Sequence, residues 1–335
     1  MQTSSAVLPA LETKNVTKIY CQWQRSAKLR DIGKNLLHPE KREVRALDGL
    51  SLKVLPGECV AYAGANGAGK STTIKILSGI LRPTSGEVSV LGMNPARGRI
   101  PLMRKIGVLF GQRTELWWDH PIITSFEWKK QVWDIPEETY RRQLQLVSEL
   151  LGLSELLNTF ARELSLGQRM RADLGLMLLH DPELLFLDEP TLGLDVLAKR
   201  DMISFLRRIN AEGKTIVVTS HDMDDLEEIA RRIVLLDHGK IAFDGTFDAL
   251  REVQGSAGRI RVTAAPGICF PELPGLRPVG REGDIHEYAF DRTKTGIRDI
   301  LRLLSEIDGV EDVELRHAPI EEVVAGLYRS WKNGF

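Results

Sequence analysis

The 335-residue chain reads as an α/β protein, with a mixed sheet core, a helical insertion and a small C-terminal α+β unit. Three observations lead there. Short apolar runs alternate with helical patterns up to about residue 245. Strand signals stop between Gln112 and Leu164, where helix signals take over. After Gly245 a second, shorter alternation begins. A chain of this length supports a main domain over 1–245 and an appendage over 246–335.

In chain order, buried strands are expected at 50–54, 59–63, 87–91, 106–110, 184–187, 215–219 and 233–236. The helical insertion spans about 112–165. Its clearest helix, 136–151, opens with Pro-Glu-Glu and closes at Gly152. Before the core lies a basic excursion, 25–45, whose Leu29, Ile32, Leu36 and Leu37 have the spacing of a short amphipathic helix ended by His38-Pro39. A solvated surface segment and a contact with lipid headgroups both fit it. In the appendage, strands are expected near 259–262, 285–290 and 313–315, with a helix carrying Ile297, Ile300, Leu301, Leu304 and Ile307 and a last helix from Pro319 to about Arg329. The Pro and Gly cluster over 266–280 reads as a loop.

Lys plus Arg (45) nearly balance Asp plus Glu (46), so no global field points to nucleic acid as a partner. Cys21, Cys59 and Cys269 are too scattered for a disulfide framework or a zinc site, which fits a reducing cytosolic setting. Residues 1–10 lack the basic start and apolar core of a signal peptide, and no window approaches the roughly twenty apolar residues that span a bilayer.

Two motifs carry the chemistry. Gly64-Ala65-Asn66-Gly67-Ala68-Gly69-Lys70-Ser71-Thr72 follows the strand at 59–63 with the glycine, lysine and hydroxyl spacing of a loop built around phosphate. Glycines let backbone N–H groups turn inward, and the next helix offers its positive end. Lys70 then reaches the β and γ phosphates of a nucleoside triphosphate and Ser71 ligates Mg²⁺. In the second motif, the strand at 184–187 ends in Asp188 and Glu189, at the sheet edge where α/β proteins bind ligands. Asp188 suits a magnesium shell and Glu189 a water. A helix cap is the alternative for such a pair, and the phosphate loop weighs against it.

Together with Leu164-Ser165-Leu166-Gly167-Gln168, upstream of Asp188, these residues resemble the ATP-binding cassette (ABC) ATPases over about 11–245. The resemblance implies that Ser165, Gly167 and Gln168 form the signature that contacts ATP held by the opposite subunit. The family's usual glycine is Leu166 here, so the helix is expected to start in ordinary αR space with Ser165 as N-cap. It also implies a magnesium- and water-sensing role for Gln112, a cross-dimer loop ending in Asp195, a switch histidine at His221, and an adenine-stacking aromatic at Tyr20. For Tyr20, Trp23 is a competitor and a plain strand aromatic is the bland reading.

The implied reaction is ATP hydrolysis with ATP and Mg²⁺ in a site completed by a second copy or a homologous cassette. Gly111 to Asp119, the excursion after Tyr20 and the run Ser165 to Arg171 look like the ATPase of an ABC-2-type exporter, near the multidrug or viologen group. That implies a chain peripheral to the inner face of the cell membrane, docked on separate permease subunits. Trp117 and Trp118 then lie near the surface receiving a permease coupling helix, or plug the join between subdomains. An importer ATPase and a soluble ABC protein acting on ribosomes or DNA are the rivals. The second lacks support from a tandem cassette or a long coiled coil.

Overall fold

The structure, a computed structural model, describes residues 8–23, 41–111, 114–253, 257–265, 273–291, 294–317 and 319–332. The chain divides into two compact units at Asp244 and Gly245.

In the first unit, β1 (Leu11–Trp23), β2 (Lys41–Val54) and β3 (Cys59–Gly64) lead to α1 (Lys70–Leu77), followed by β4 (Ser85–Val90), α2 (Arg99–Met103) and β5 (Ile106–Phe110). Helices α3 (Ile122–Val132) and α4 (Glu137–Leu150) come next. Then α5 (Leu166–Leu178), β6 (Leu184–Asp188), α6 (Val196–Ala211), β7 (Thr215–Thr219), α7 (Met223–Ile229), β8 (Arg232–Asp237) and β9 (Lys240–Thr246) complete it.

The strands form two sheets. A three-stranded antiparallel sheet has the order β2-β1-β4, and a six-stranded sheet the order β5-β6-β7-β3-β8-β9. From β5 to β8 the larger sheet is parallel. Every residue of β3 and β7 is buried, as parallel strands covered on both faces require, and this is why they read as unbroken apolar runs. One core joins the two sheets with α1 through Leu11, Leu47, Tyr62, Ile74, Phe186 and Val217.

The helix expected at 136–151 is α4. Pro136 stands at its N-cap, Glu137 and Glu138 fill its first turn, and Gly152 beyond its end takes φ +61. Three expectations need correction. First, β2 begins at Lys41, nine residues before the expected 50, so the last residues of the excursion, 41–45, belong to this strand; the expected amphipathic helix, Leu29 to Leu37 and its end at His38-Pro39, lies outside the described residues. Its partner β1, absent from the expected strands, carries three register shifts against β2 and a left-handed Asn15, which break the two-residue alternation. Second, β9 pairs with β8 across His238 and Gly239. Both have positive φ, as in a two-residue hairpin, and β9's half-exposed alternation gave no apolar run.

The third correction lies in the second unit, which holds α8 (Phe247–Val253), β10 (Ala257–Ala264), β11 (Leu276–Glu282), β12 (Ile285–Asp291), α9 (Ile297–Ser305), β13 (Val310–His317) and α10 (Ile320–Lys332). Residues 276–280 of the expected loop are strand β11. Its Pro278 is tolerated because β11 is the edge of the antiparallel sheet β11-β12-β10-β13, and a register shift falls between Pro278 and Gly280. Ile260, Val262, Tyr288 and Phe290 pack against Ile300 and Leu304 of α9 to make this unit's own core.

Candidate active site

The site begins where β3 runs out. A side chain at Gly64 would meet the Leu236 carbonyl at 2.7 Å and Ala68 Cβ at 3.1 Å. At Gly69 the backbone takes φ +112, and a Cβ there would stand 2.6 Å from the Ala46 carbonyl. Glycine is therefore required at both ends of the loop by close backbone approach, and at Gly69 by conformation as well. The β8-β9 turn holds the loop from outside, with the Gly239 N–H donating to the Ala68 carbonyl at 3.0 Å. No side chain caps the first turn of α1, so its N–H groups remain for a ligand.

Lys70 is buried, its Nζ donating to the carbonyls of Gly64 at 2.6 Å and Ala65 at 3.4 Å. Burial pulls its pKa down, opposed by the charges of Glu189 and Asp188. The Ser71 hydroxyl donates to Asp188 Oδ2 at 3.1 Å, while the Thr219 hydroxyl donates to Asp188 Oδ1 at 2.7 Å. Thr219 also fixes the next residue, because both its carbonyl and its hydroxyl accept the Glu189 N–H at 3.1 Å. Glu189 is held at φ +58, a left-handed conformation uncommon for a residue with a side chain and frequent at functional sites. One Glu189 oxygen accepts the His221 N–H at 3.1 Å and the other lies 3.2 Å from His221 Nε2. Burial raises the Glu189 pKa despite His221 and Lys70 nearby.

Asn66, Gly67, Gly69, Lys70, Ser71 and Thr72 thus share one cleft of about 250 Å³ with Asp188, Glu189, His221 and Ala46. A hydroxyl and a carboxylate 3.1 Å apart are the hard oxygen donors that Mg²⁺ takes alongside phosphate and water, so Ser71 and Asp188 fit that ion. Gln112, expected as a third participant, lies outside the described residues.

The remaining expected residues do not line the cleft. Tyr20 sits on β1 opposite Val44, two residues from Ala46 along β2, with Lys18 Nζ 5.2 Å from its ring centre. Ser165 is the N-cap of α5. Its hydroxyl accepts the Gln168 N–H at 3.2 Å while Gln168 Oε1 accepts the Ser165 N–H at 2.9 Å, a reciprocal capping box. Leu166 opens the helix without a positive φ, as expected for a residue replacing glycine. Asp195 caps α6 by accepting the Ala198 N–H at 2.9 Å. The two helix starts touch: a Cβ on Gly167 would stand 3.1 Å from Ala198 Cβ, and one on Gly193 2.8 Å from Leu166. Leu166, Leu192, Val196 and Leu197 leave apolar surface exposed beside these caps.

Trp118 is 48% exposed under the Arg169 guanidinium, 4.6 Å from its ring, and Trp117 is 37% exposed against Trp128. Neither is enclosed as a plug would be, whereas the neighbouring Leu116 is buried. Asp173 on α5 escaped the sequence reading. Buried, it accepts the Thr114 hydroxyl at 3.0 Å and the Glu115 N–H at 2.9 Å, tying the signature helix to the segment just after Gln112. Burial pushes its pKa up to about 6. One acid in the otherwise apolar run 172–178 of α5, all of it buried, was the available signal.

Residues 47–192 match the ABC transporter family. Over 297 residues the chain is 30% identical to the daunorubicin resistance ATP-binding protein DrrA3 of Streptomyces coeruleorubidus, covering 86% of this chain and 93% of that protein. The methionine import ATP-binding protein MetN of Carboxydothermus hydrogenoformans is 34% identical over 215 residues, 63% of this chain, which spans only 64% of that relative's length. Among solved structures, a dimeric bacterial ABC transporter cassette superposes with a TM-score of 0.57 at 25% identity, over 70% of this chain and 98% of that one.

Proposed function

Because the chain belongs to the ABC transporter family of ATP-binding cassettes, we propose that it is the ATP-hydrolysing subunit of an ABC-2-type exporter, working as a pair of cassettes on separate permease subunits at the inner face of a membrane. The exporter reading rests on one observation. The similarity to the daunorubicin resistance protein runs over 297 residues, beyond the cassette's own length, whereas that to the methionine importer stops at 215. The importer is the second reading, supported by the higher identity of that shorter match.

In this reading the loop amides and Lys70 bind the phosphates of ATP, and Ser71 and Asp188 would hold a Mg²⁺ ion, which when bound would supply positive charge to offset that of the phosphates. Glu189 orients and polarises the attacking water. His221, set by both oxygens of Glu189, reaches the γ-phosphate. Catalysis comes from positioning and charge stabilisation, with ADP and phosphate as products. Ser165 lies outside its own chain's cleft, so it serves a partner's ATP and one cassette alone hydrolyses slowly. No helix of the described residues is long and apolar enough to cross a membrane. The exposed Trp117 and Trp118 offer the permease an aromatic surface.

The test is purification of the tagged chain from membranes. Recovery of a polytopic permease whose drug efflux from inverted vesicles or proteoliposomes depends on ATP supports the exporter. A permease with a solute-binding protein supports the importer instead, and capture of ribosomes or DNA without a permease overturns both.

A further inference from the structure

The sheet of the C-terminal unit ends in a strand whose outer edge has no partner among the described residues. β13 pairs with β10 alone, Leu315 opposite Ile260 and Val313 opposite Val262. Its residues from 310 to 316 are exposed or half-buried, and Leu315 keeps 37% of its surface. Such an edge is a template for another strand unless its charges forbid pairing. The Val313 N–H shows which groups face outward, since Asp312 Oδ1 accepts it at 2.8 Å in place of β10. By ladder alternation, Glu311, Val313, Leu315 and His317 present their N–H and C=O groups to the open side.

We propose that β13 pairs antiparallel with β13 of a second copy of this chain, with Leu315 opposite Leu315. A two-fold axis normal to the sheet keeps each face on its own side, so facing residues must share parity and the axis must pass a residue. Centring it on Glu311, Asp312, Glu314 or Arg316 sets that charge against itself, and centring it on Val313 sets Asp312 against Glu314. Leu315 is the centre within 311–316 that opposes no like charges. There Glu314 of each copy faces Arg316 of the other, Val313 faces His317, and the two exposed leucines cover each other. Glu314 and Arg316 already form an ion pair 2.8 Å apart within one chain, so the interface exchanges partners without stranding a charge. Because Leu315 lies on the outward series, it forms a hydrogen-bonded pair whose Cα atoms are about 5.5 Å apart, within disulfide reach. The joined strands keep two cassettes at high local concentration between turnovers.

The experiment uses the full chain with Cys21 and Cys269 replaced by serine, without nucleotide, so that closure on ATP does not contribute. Leu315→Cys should oxidise to a covalent dimer, whereas Val313→Cys, displaced from its counterpart by four residues, should not. Arg316→Glu should lower the nucleotide-free dimer seen by sedimentation about tenfold, through two facing pairs turned from attractive to repulsive. Adding Glu314→Arg to Arg316→Glu should restore it. Equal cross-linking at 313 and 315, a thiol at 315 that titrates freely yet never cross-links, or a charge swap that fails to recover the dimer would each overturn the pairing. Failure of the ATPase or permease assays would leave these outcomes unaffected.

Discussion

Glu189 holds His221 at two points, accepting its backbone N–H at 3.1 Å with one carboxylate oxygen and approaching its Nε2 at 3.2 Å with the other. The histidine's main chain and ring are therefore set by the same carboxylate to which the proposed mechanism assigns the attacking water. Glu189→Gln keeps the size and one acceptor but removes the charge that polarises water. Turnover should fall by roughly two to four orders of magnitude, with ATP affinity retained. Phosphate release measured beside nucleotide titration checks this, and near-normal turnover would remove Glu189 from its role.

Lys70 lies in the cleft with Nζ bonded to two loop carbonyls, so its charge is in place before a phosphate arrives. Lys70→Ala removes both the cation and the brace across the loop. Titration with a labelled ATP analogue should show weakened binding itself, not only slowed hydrolysis. Unchanged affinity would sink the phosphate-loop assignment.

Asp173 gives a pH-dependent prediction with a definite sign. Its folded pKa, about 6, lies above the ordinary 3.8, because burial disfavours the carboxylate. Between those values the native state holds a proton that the unfolded chain has lost, so stability falls as pH rises through roughly 4 to 6. The deficit above pH 6 is on the order of 3 kcal/mol. Asp173→Asn keeps an oxygen to accept from Thr114 and Glu115 without that charge. Its melting temperature should match or trail the parent near pH 4.5 and exceed it at pH 7.5. A gap independent of pH would show that Asp173 is not the titrating group.

The parallel strands and the cleft were legible because each rests on local chemistry: unbroken apolar runs, a glycine spacing fixed by backbone approach, acids at a strand end. Tertiary relationships were not. Thr219 reads as one more β-branched strand residue until the fold sets its hydroxyl between Asp188 and the Glu189 amide. Gly239 looks like an ordinary hairpin glycine, yet its N–H holds the phosphate loop at Ala68. Strands β1 and β11 were hidden by bulges and by a proline that only an edge position tolerates. For Thr219, Gly239 and β1 the partner lies tens of residues away, and for β11 what matters is its place at the sheet edge, which only the fold reveals.

Ser165 and Lys70 together test whether two chains make one site. Ser165 lies outside the cleft of its own chain, its hydroxyl taken up in the capping box of α5. Ser165→Ala should cost about 1 kcal/mol of local helix stability and, alone, should slow hydrolysis in every site of a homodimer. Lys70→Ala disables the phosphate loop but leaves its own Ser165 intact. When the two variants are mixed and allowed to exchange, a mixed pair contains one site with an intact loop from the Ser165→Ala chain and an intact signature from the Lys70→Ala chain. Activity should therefore rise above that of either variant by itself, in proportion to the mixed pairs formed. If Ser165 acted on its own chain's nucleotide, each chain of the mixture would carry a defect in its only site, and mixing would recover nothing.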